Sequence, residues 1–167
     1  ERRTDRQVII LGVAFLSDAS AAILRDGKLI CAVSEERINR VKQWHGVPHR
    51  AIAHVLTLAG ITMDDVDVVA SHGTAPTEPD ATPFNAAVER IRASMLSDAD
   101  KERQIDGLLA RLAHESRVLG ERTPACLSEL KALGKPVFVT AHHTAHAASA
   151  YFASGWDRGY VLTADGW

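Results

Sequence analysis

The sequence is poor in several features that would each indicate a class of protein. No hydrophobic run approaches the roughly 20 residues of a membrane-spanning helix, and the first residues, ERRTDRQ, are too charged to suggest a signal peptide. The 19 Lys and Arg against 21 Asp and Glu give a net charge of −2, so there is no basic field for nucleic acid or an anionic membrane. The only two cysteines, Cys31 and Cys126, are far apart, which excludes cysteine-rich metal sites and favours a reduced, cytoplasmic setting.

What remains is an ordinary globular composition. The 167 residues are 46% hydrophobic, enough for one domain with a core and too few for two. The chain does not begin with Met, and it stops at VLTADGW, directly after a strand-like run. We therefore expect a piece of a longer protein.

Alternating apolar runs and helical periodicities predict an α/β fold. The run 8–15 is typical of a buried strand, and Asp26-Gly27 divides the next stretch into a hairpin that ends near Glu35 and Glu36. Pro48 and Gly60 bound a predicted helix. Further strands are predicted over 65–73, 135–142 and 159–166, and further helices over 84–96, 101–120, 123–134 and 144–154.

Three strands followed by alternating helices and strands predict a mixed sheet flanked by helices. This β-β-β-α-β-α-β-α order is that of one lobe of an actin/Hsp70/sugar-kinase-like ATPase. We expect residues 1–154 to form the first lobe, with a helical insert at about 84–133, and residues 155–167 to begin a second lobe.

The stretch TAHHTAHAASAYFASGW (140–156) has three histidines in five positions. In a helix, His142 and His146 share a face and can bind one metal ion. His143 points about 100° away, so it needs another role, either behind the metal ligands or in contact with the nucleotide or substrate. Asp165, at the end of a predicted strand, supplies a third ligand. Two histidines and a carboxylate with open positions suit Fe(II), Mn or Zn. Our expectation is Fe(II), with Mn, Mg or Zn as the other possible ions. The alternatives are a histidine-rich solvated helix end and an ordinary Asp-Gly turn.

Two further stretches are candidates for binding phosphate. SDASAA (17–22) lies in the turn after the first strand, and SEERINRVKQWHG (34–46) combines carboxylates with cations suited to an anion. The candidate ligands are Ser17, Asp18, Ser20, Arg37, Arg40 and Lys42, together with backbone N–H groups of the first turn. A plain polar turn and a salt-bridged connector are the alternatives. His72 ends a predicted strand and could face the same cleft, whereas the remaining histidines have no partner spacing.

These stretches, in this order, resemble the N-terminal region of the NodU/CmcH-type O-carbamoyltransferases, which carbamoylate antibiotics and nodulation factors. The matching segments are ILGVAFLSDASAAILRDGKLICAVSEERINRVKQ, GVPHRAIAHVL, VDVV and HHTAHAASAYFASGWDRGYVLTADGW. The resemblance implies an actin-like domain, similar to that of threonylcarbamoyladenosine synthases. It also implies an ATP-derived nucleotide bound through a metal on His142, His146 and Asp165.

The resemblance further implies a separate C-terminal domain that makes carbamoyl adenylate from carbamoyl phosphate and ATP. The actin-like domain then passes the carbamoyl group to a hydroxyl of a small-molecule acceptor. A histidine frequent in the family before the DAS turn is not found here, where Leu16 and Ser17 stand. The second lobe, the main catalytic base and the adenylating domain are also missing, so we expect this chain alone to be inactive.

Two other functions fit a similar fold. A sugar kinase or Hsp70-like ATPase requires phosphate-binding glycines in the first turn, and SDASAA has none. A non-catalytic interaction module would use neither the histidines nor a metal. Metal binding and the type of phosphate chemistry separate these functions from carbamoyl transfer.

Overall fold

The computed structural model describes residues 7–16, 18–73 and 82–163, and the α/β lobe predicted from the sequence is confirmed. Five strands form one mixed sheet in the order β3-β2-β1-β4-β5. The first three strands are antiparallel, and β4 and β5 continue the sheet parallel to β1. The strands are β1 (Ile9–Ala14), β2 (Ser20–Arg25), β3 (Lys28–Ser34), β4 (Val68–His72) and β5 (Val137–Thr140).

The helices lie between and after these strands. They are α1 (Glu35–Asn39), α2 (His49–Ala59), α3 (Thr82–Arg92), α4 (Asp98–Lys131) and α5 (His142–Ser154), with a 3₁₀ turn at Met63–Asp65. As predicted, α2 starts directly after Pro48 and ends at Gly60, which has a left-handed conformation. Among the described residues, no helix is both long enough and apolar enough to cross a membrane.

The β2–β3 hairpin forms at the predicted dipeptide. Asp26 and Gly27 have φ values of 51° and 76°, the positive values that a tight two-residue hairpin turn favours. The Asp26 side chain also accepts a hydrogen bond from the N–H of Val8 at 2.8 Å. The turn therefore fastens the start of β1 to the hairpin.

The core lies on one face of the sheet. Alternate residues of β1, such as Leu11 and Val13, are buried against Val55 of α2 and Leu130 near the end of α4. This alternation is expected of a strand whose side chains point to opposite faces. Because β1, β4 and β5 are parallel, their carboxyl ends meet at one edge of the sheet, where ligands bind in open α/β sheets.

Glu35 and Glu36 differ from the prediction, because they begin α1 instead of ending a strand. Pairing of β3 with β2 stops at Ser34 and Ser20. The Glu35 N–H then donates to the Ala19 carbonyl at 2.8 Å, which turns the chain away from the sheet. Without a strand partner the glutamates take the helical conformation that they favour.

The insert contains two helices instead of the three predicted. Helix α4 runs for 34 residues and contains Gly120 and Pro124 without a break. Thr123, Cys126 and Leu130 are buried on one side of it. We attribute the continuity to this packing, which outweighs the weak helix propensity of Gly and Pro.

The predicted strand over 159–166 is not formed over residues 159–163. Tyr160 and Leu162 are almost fully exposed there, and a strand needs a neighbour for its hydrogen bonds. Residues 164–166 lie outside the described part. The division into a first lobe (1–154) and the start of a second (155–167) stays a prediction.

Candidate functional site

The candidate site lies at the carboxyl ends of β4 and β5. His72 ends β4 and is paired with Thr140, which ends β5. The Gly73 N–H donates to the Thr140 carbonyl at 3.1 Å and closes this edge of the sheet. After one extended residue, Ala141, the chain enters α5 with His142 as its first residue. The strand-to-helix turn therefore brings His142 beside the end of β4.

His142 and His146 share one face of α5, as predicted. Their Nε2 atoms are 3.1 Å apart, and their rings are nearly perpendicular, with centroids 4.5 Å apart. Two imidazole nitrogens bound side by side to an ion at about 2.1 Å would be roughly 3.0–3.4 Å apart. Without an ion, one imidazole can donate a hydrogen bond to the other. The pair therefore fits two neighbouring positions of a metal ion.

Beyond His142 and His146, the structure describes only some of the residues predicted to bind the metal or the nucleotide. Asp165 lies outside the described residues, so its role as third ligand stays a prediction. Within the described ranges, no group of three or more His, Cys, Asp or Glu side chains is assembled for a metal. The His143 ring is exposed, with its centroid 5.8 Å from that of His142 and tilted by 45°. Its predicted role towards the nucleotide is also untested.

His72 is the residue whose importance the sequence indicated least. Its ring stacks on Phe15, with centroids 5.1 Å apart, and meets His142 edge-on at 5.5 Å. Burial, followed by the charges of His142 and His146, lowers the pKa of His72 to about 4, so the ring is neutral at pH 7. The available signal was the position of His72 at the end of a buried strand, directly before a glycine.

The segments that follow β1 and α1 are hydrogen-bonded to each other near Phe15. The Ala19 N–H donates to the Trp44 carbonyl at 3.1 Å, and the Gly46 N–H donates to the Phe15 carbonyl at 2.8 Å. Because the Phe15 ring also stacks on His72, Phe15 joins these loops to the histidines. Through its ring, Phe15 contacts His72, and through its carbonyl it accepts the Gly46 N–H.

The same loops contain unusual backbone geometry. Asp18, Arg40 and Gln43 have φ values of 60°, 64° and 51°, in the left-handed region that residues with side chains rarely adopt. Such conformations cluster at functional sites, where the surrounding structure holds them. Arg40 adopts this conformation as the residue that ends α1, which is a common way for a helix to end.

In the first of these loops, one of the backbone donors predicted for phosphate is occupied. Ser17 lies outside the described residues, Asp18 is exposed, and Ser20 belongs to β2. The Ala19 N–H is already bonded to the Trp44 carbonyl. The expectation that backbone N–H groups of this turn donate to phosphate is therefore wrong for Ala19, because loop-to-loop pairing occupies that donor.

The predicted cations are gathered in the second loop and the helix before it. Lys42 Nζ lies 2.9 Å from Glu36 Oε1, and Arg37 Nε lies 3.9 Å from the same oxygen. The hydrogen bond from Lys42 is the main cause that lowers the pKa of Glu36. Arg40 caps α1 in the left-handed conformation. Because the side chains of Arg37 and Lys42 are largely exposed, they can reorient towards an anion.

Glu35, in contrast, has a structural role. Its side chain is buried and accepts a hydrogen bond of 2.7 Å from the Ala51 N–H. Ala51 is in the first turn of α2, where backbone donors lack partners within the helix. Glu35 therefore caps α2 and fixes it against α1, so this carboxylate is not free for an anionic ligand or for proton transfer.

Comparisons with known proteins show which family the chain resembles. The family described as carbamoyltransferase N-terminus matches residues 9–167. Nodulation protein NolNO of Sinorhizobium fredii is 34% identical over 155 residues, 91% of this chain and 20% of its own length. Protein sll1178 of Synechocystis is 32% identical over 168 residues, 94% of this chain and 25% of its own. The chain thus spans a fifth to a quarter of these relatives.

Among solved structures, YeaZ from Pseudomonas aeruginosa is similar with a TM-score of 0.42 and 17% sequence identity. The similarity covers 89% of this chain and 50% of YeaZ.

Proposed function

The chain belongs to the carbamoyltransferase N-terminus family, and from this premise we propose that it is the first lobe of an ATP-dependent O-carbamoyltransferase. The whole enzyme would transfer a carbamoyl group from carbamoyl phosphate, through carbamoyl adenylate, to a hydroxyl of a small molecule such as a natural product or sugar. Family membership supports carbamoyl transfer in general. The nucleotide, the metal and the acceptor are part of the proposal.

The observation that carries the proposal is the histidine pair. His142 and His146 present two Nε2 atoms 3.1 Å apart at the carboxyl edge of the sheet, a separation that fits two ligands of one ion. We propose Asp165 as the third ligand and Fe(II) as the ion, with Mn, Mg or Zn as alternatives. An ion bound there would supply positive charge to phosphate oxygens.

The cationic loop would complete the phosphate contacts. Arg37 lies in α1, and Arg40 and Lys42 lie in the loop that follows this helix. That loop is hydrogen-bonded to the turn directly before Ser20. We propose that these three cations, together with Ser17, Asp18, Ser20 and His143, orient the nucleotide. Arg offers two parallel donors to a phosphate, whereas Lys contributes a point charge. Binding of the anion would then compete with the Glu36 carboxylate for Lys42.

In the proposed transfer step, the acceptor hydroxyl oxygen attacks the carbamoyl carbon of carbamoyl adenylate. A carbon–oxygen bond forms to the acceptor, the bond from the carbamoyl carbon to the adenylate phosphate oxygen breaks, and AMP leaves. A carboxylate base takes the hydroxyl proton, and we place that base in the second lobe, outside this chain. The cations of this lobe would stabilise the negative charge that develops on the AMP phosphate.

An anaerobic Fe(II) titration in the presence of a non-hydrolysable ATP analogue tests the proposal. The chain should bind one equivalent of Fe(II). The variants His142→Ala and His146→Ala should each weaken binding by about 100-fold or more, because each removes a ligand. His54→Ala, which removes an exposed histidine from α2, is the matched control and should bind as the wild type does. Equal Fe(II) affinity in all four proteins would contradict the proposal.

A further inference from the structure

A continuous row of rings joins the hydrophobic core to the histidine pair. Phe15 is 1% exposed and belongs to the core cluster. His72 stacks on it with an interplanar angle of 17°, His142 meets His72 at 60°, and His146 meets His142 at 83°. The centroids of successive rings are 5.1, 5.5 and 4.5 Å apart. All these separations lie in the range of favourable ring contacts.

The backbone beneath His72 is fixed from several sides. Its strand pairs with β1 and β5, and the buried Ser71 hydroxyl donates to the Val13 carbonyl at 2.7 Å. Gly73 follows with a φ of 121°. His72 is therefore a rigid support at the edge of the sheet.

Within α5, His142 contacts His146 at its Nε2 atom, and His72 adds a contact from a different element of the fold. Within α5, no described side chain is fully buried. Exposed side chains on a helix change rotamer within picoseconds to nanoseconds. A metal ligand, by comparison, must be held in one orientation, and partners beyond the ligands usually supply that constraint.

We propose that His72 is a positioning residue that holds the His142 imidazole in the orientation required for metal binding, through the contact between the two rings. The inference rests on the proposed function, because it assumes that His142 and His146 bind a metal. It adds a residue from a different strand, beyond the histidine pair on α5.

Two observations indicate that His72 acts by its shape. Its Nδ1 is buried and has no hydrogen-bond partner among the described residues, so that nitrogen makes no bond that would orient the ring. The ring also contacts Phe15 through its face and meets His142 edge-on, and neither contact requires a polar atom. A phenyl ring of similar size should therefore replace it.

The first experiment tests positioning without any metal. Three-bond NMR couplings that report the χ1 angle of His142 are measured in the isotope-labelled chain, in His72→Ala and in His72→Phe. We expect one rotamer in the wild type, averaged couplings in His72→Ala and recovery of the wild-type couplings in His72→Phe. His49→Ala, an exposed histidine of α2 paired with Glu129, is the control. Wild-type couplings in His72→Ala would overturn the inference.

The second experiment measures Co(II) affinity from the absorption bands of the bound ion. His72→Ala should weaken binding about 10-fold to 100-fold, as loss of a supporting partner does, whereas His72→Phe should stay within about threefold of the wild type. Affinity in His72→Phe as low as in His72→Ala would overturn the inference. If the wild type binds no Co(II) although its couplings behave as expected, the metal site of the proposed function fails, and His72 orients the His142 ring without serving a metal. Unchanged affinity and couplings in His72→Ala would refute only the positioning role.

Discussion

At the scale of single residues, Gly73 is the position where the backbone of the site is most constrained. Its φ of 121° lies in a region that residues with a side chain rarely adopt, and a Cβ there would lie 3.2 Å from Phe15 Cζ and from Thr123 Cγ2. Both neighbours are buried, so neither can move without disturbing the core. Because Gly73 has no side chain, the end of β4 can pack against Phe15, and His72 stacks on the Phe15 ring.

We predict that Gly73→Ala lowers the free energy of unfolding by about 2–4 kcal/mol, from backbone strain together with the close contacts. Gly107→Ala is the matched control, because Gly107 lies inside α4 with no other atom within 4 Å of its added Cβ. That variant should stabilise the chain by about 0.5–1 kcal/mol through helix propensity. Urea denaturation measures both. A Gly73→Ala variant as stable as the wild type would contradict this account.

At the scale of elements, packing keeps α4 helical although it contains a proline, which is unfavourable inside a helix. Pro124 is exposed and lies inside the helix. It has no N–H to donate to the Gly120 carbonyl, and its ring crowds that carbonyl. The neighbouring Thr123 and Cys126 are buried in the core region. Tertiary contacts of this last third of α4 therefore offset the loss at Pro124.

Replacing Pro124 by alanine should raise the free energy of unfolding by about 1–3 kcal/mol, because it restores one helical hydrogen bond and removes the crowding. Arg122→Ala, at an exposed position of the same turn, should change stability by less than about 0.5 kcal/mol. Chemical denaturation followed by circular dichroism compares the two. Destabilisation by Pro124→Ala would show that the proline fits a local distortion of the helix.

The turn between α2 and β4 provides a pH-dependent element. The Thr62 N–H and hydroxyl donate to Asp65 Oδ2 at 2.8 and 3.0 Å. The backbone hydrogen bond, followed by the hydroxyl, lowers the pKa of Asp65 below its ordinary value of 3.8. The folded state therefore favours the carboxylate more than the unfolded state does. This stabilisation is complete above pH 3.8 and is lost as the pH falls through the lower pKa of the folded state.

Asp65→Asn should consequently make the loss of thermal stability below about pH 4 less steep, since no carboxylate is left to be protonated at this position. Thr62→Val keeps the backbone donor and removes the hydroxyl, so its pH dependence should be intermediate. Unfolding midpoints measured between about pH 2.5 and pH 6 test this. Identical slopes in the wild type and Asp65→Asn would refute a contribution from the turn.

At the scale of the whole molecule, the proposed reaction needs more than this lobe. The chain covers 20% and 25% of the two relatives described above, and the proposed adenylating domain and catalytic base lie outside it. We predict that the chain alone releases no pyrophosphate from ATP in the presence of carbamoyl phosphate, whereas the full-length protein does. A coupled pyrophosphate assay measures this. Turnover by the chain alone would contradict the assignment of the adenylating activity to another part of the protein.

Much of the fold and part of the site could be predicted from local sequence. The alternation in 8–15 predicted a buried strand, Asp26-Gly27 predicted the hairpin turn, and the spacing of His142 and His146 predicted a shared helix face. Each of these features depends on neighbours within a few residues, where φ, ψ and periodicity are decided by the side chains themselves. The sequence by itself therefore determined the mixed α/β sheet and the histidine pair.

Only the tertiary structure decided the rest. That α4 continues through Pro124, that Glu35 caps α2 and that the Ala19 N–H is occupied all depend on contacts between segments distant in the sequence. The same holds for His72, which lies 70 positions before His142 and meets it only because β4 and β5 pair in parallel. Local propensities amount to about 1 kcal/mol or less per residue, or about 3 kcal/mol for a proline inside a helix, and burial of several side chains together exceeds them. Packing between distant segments therefore overrides local preference, and it placed His72 beside the predicted pair of His142 and His146.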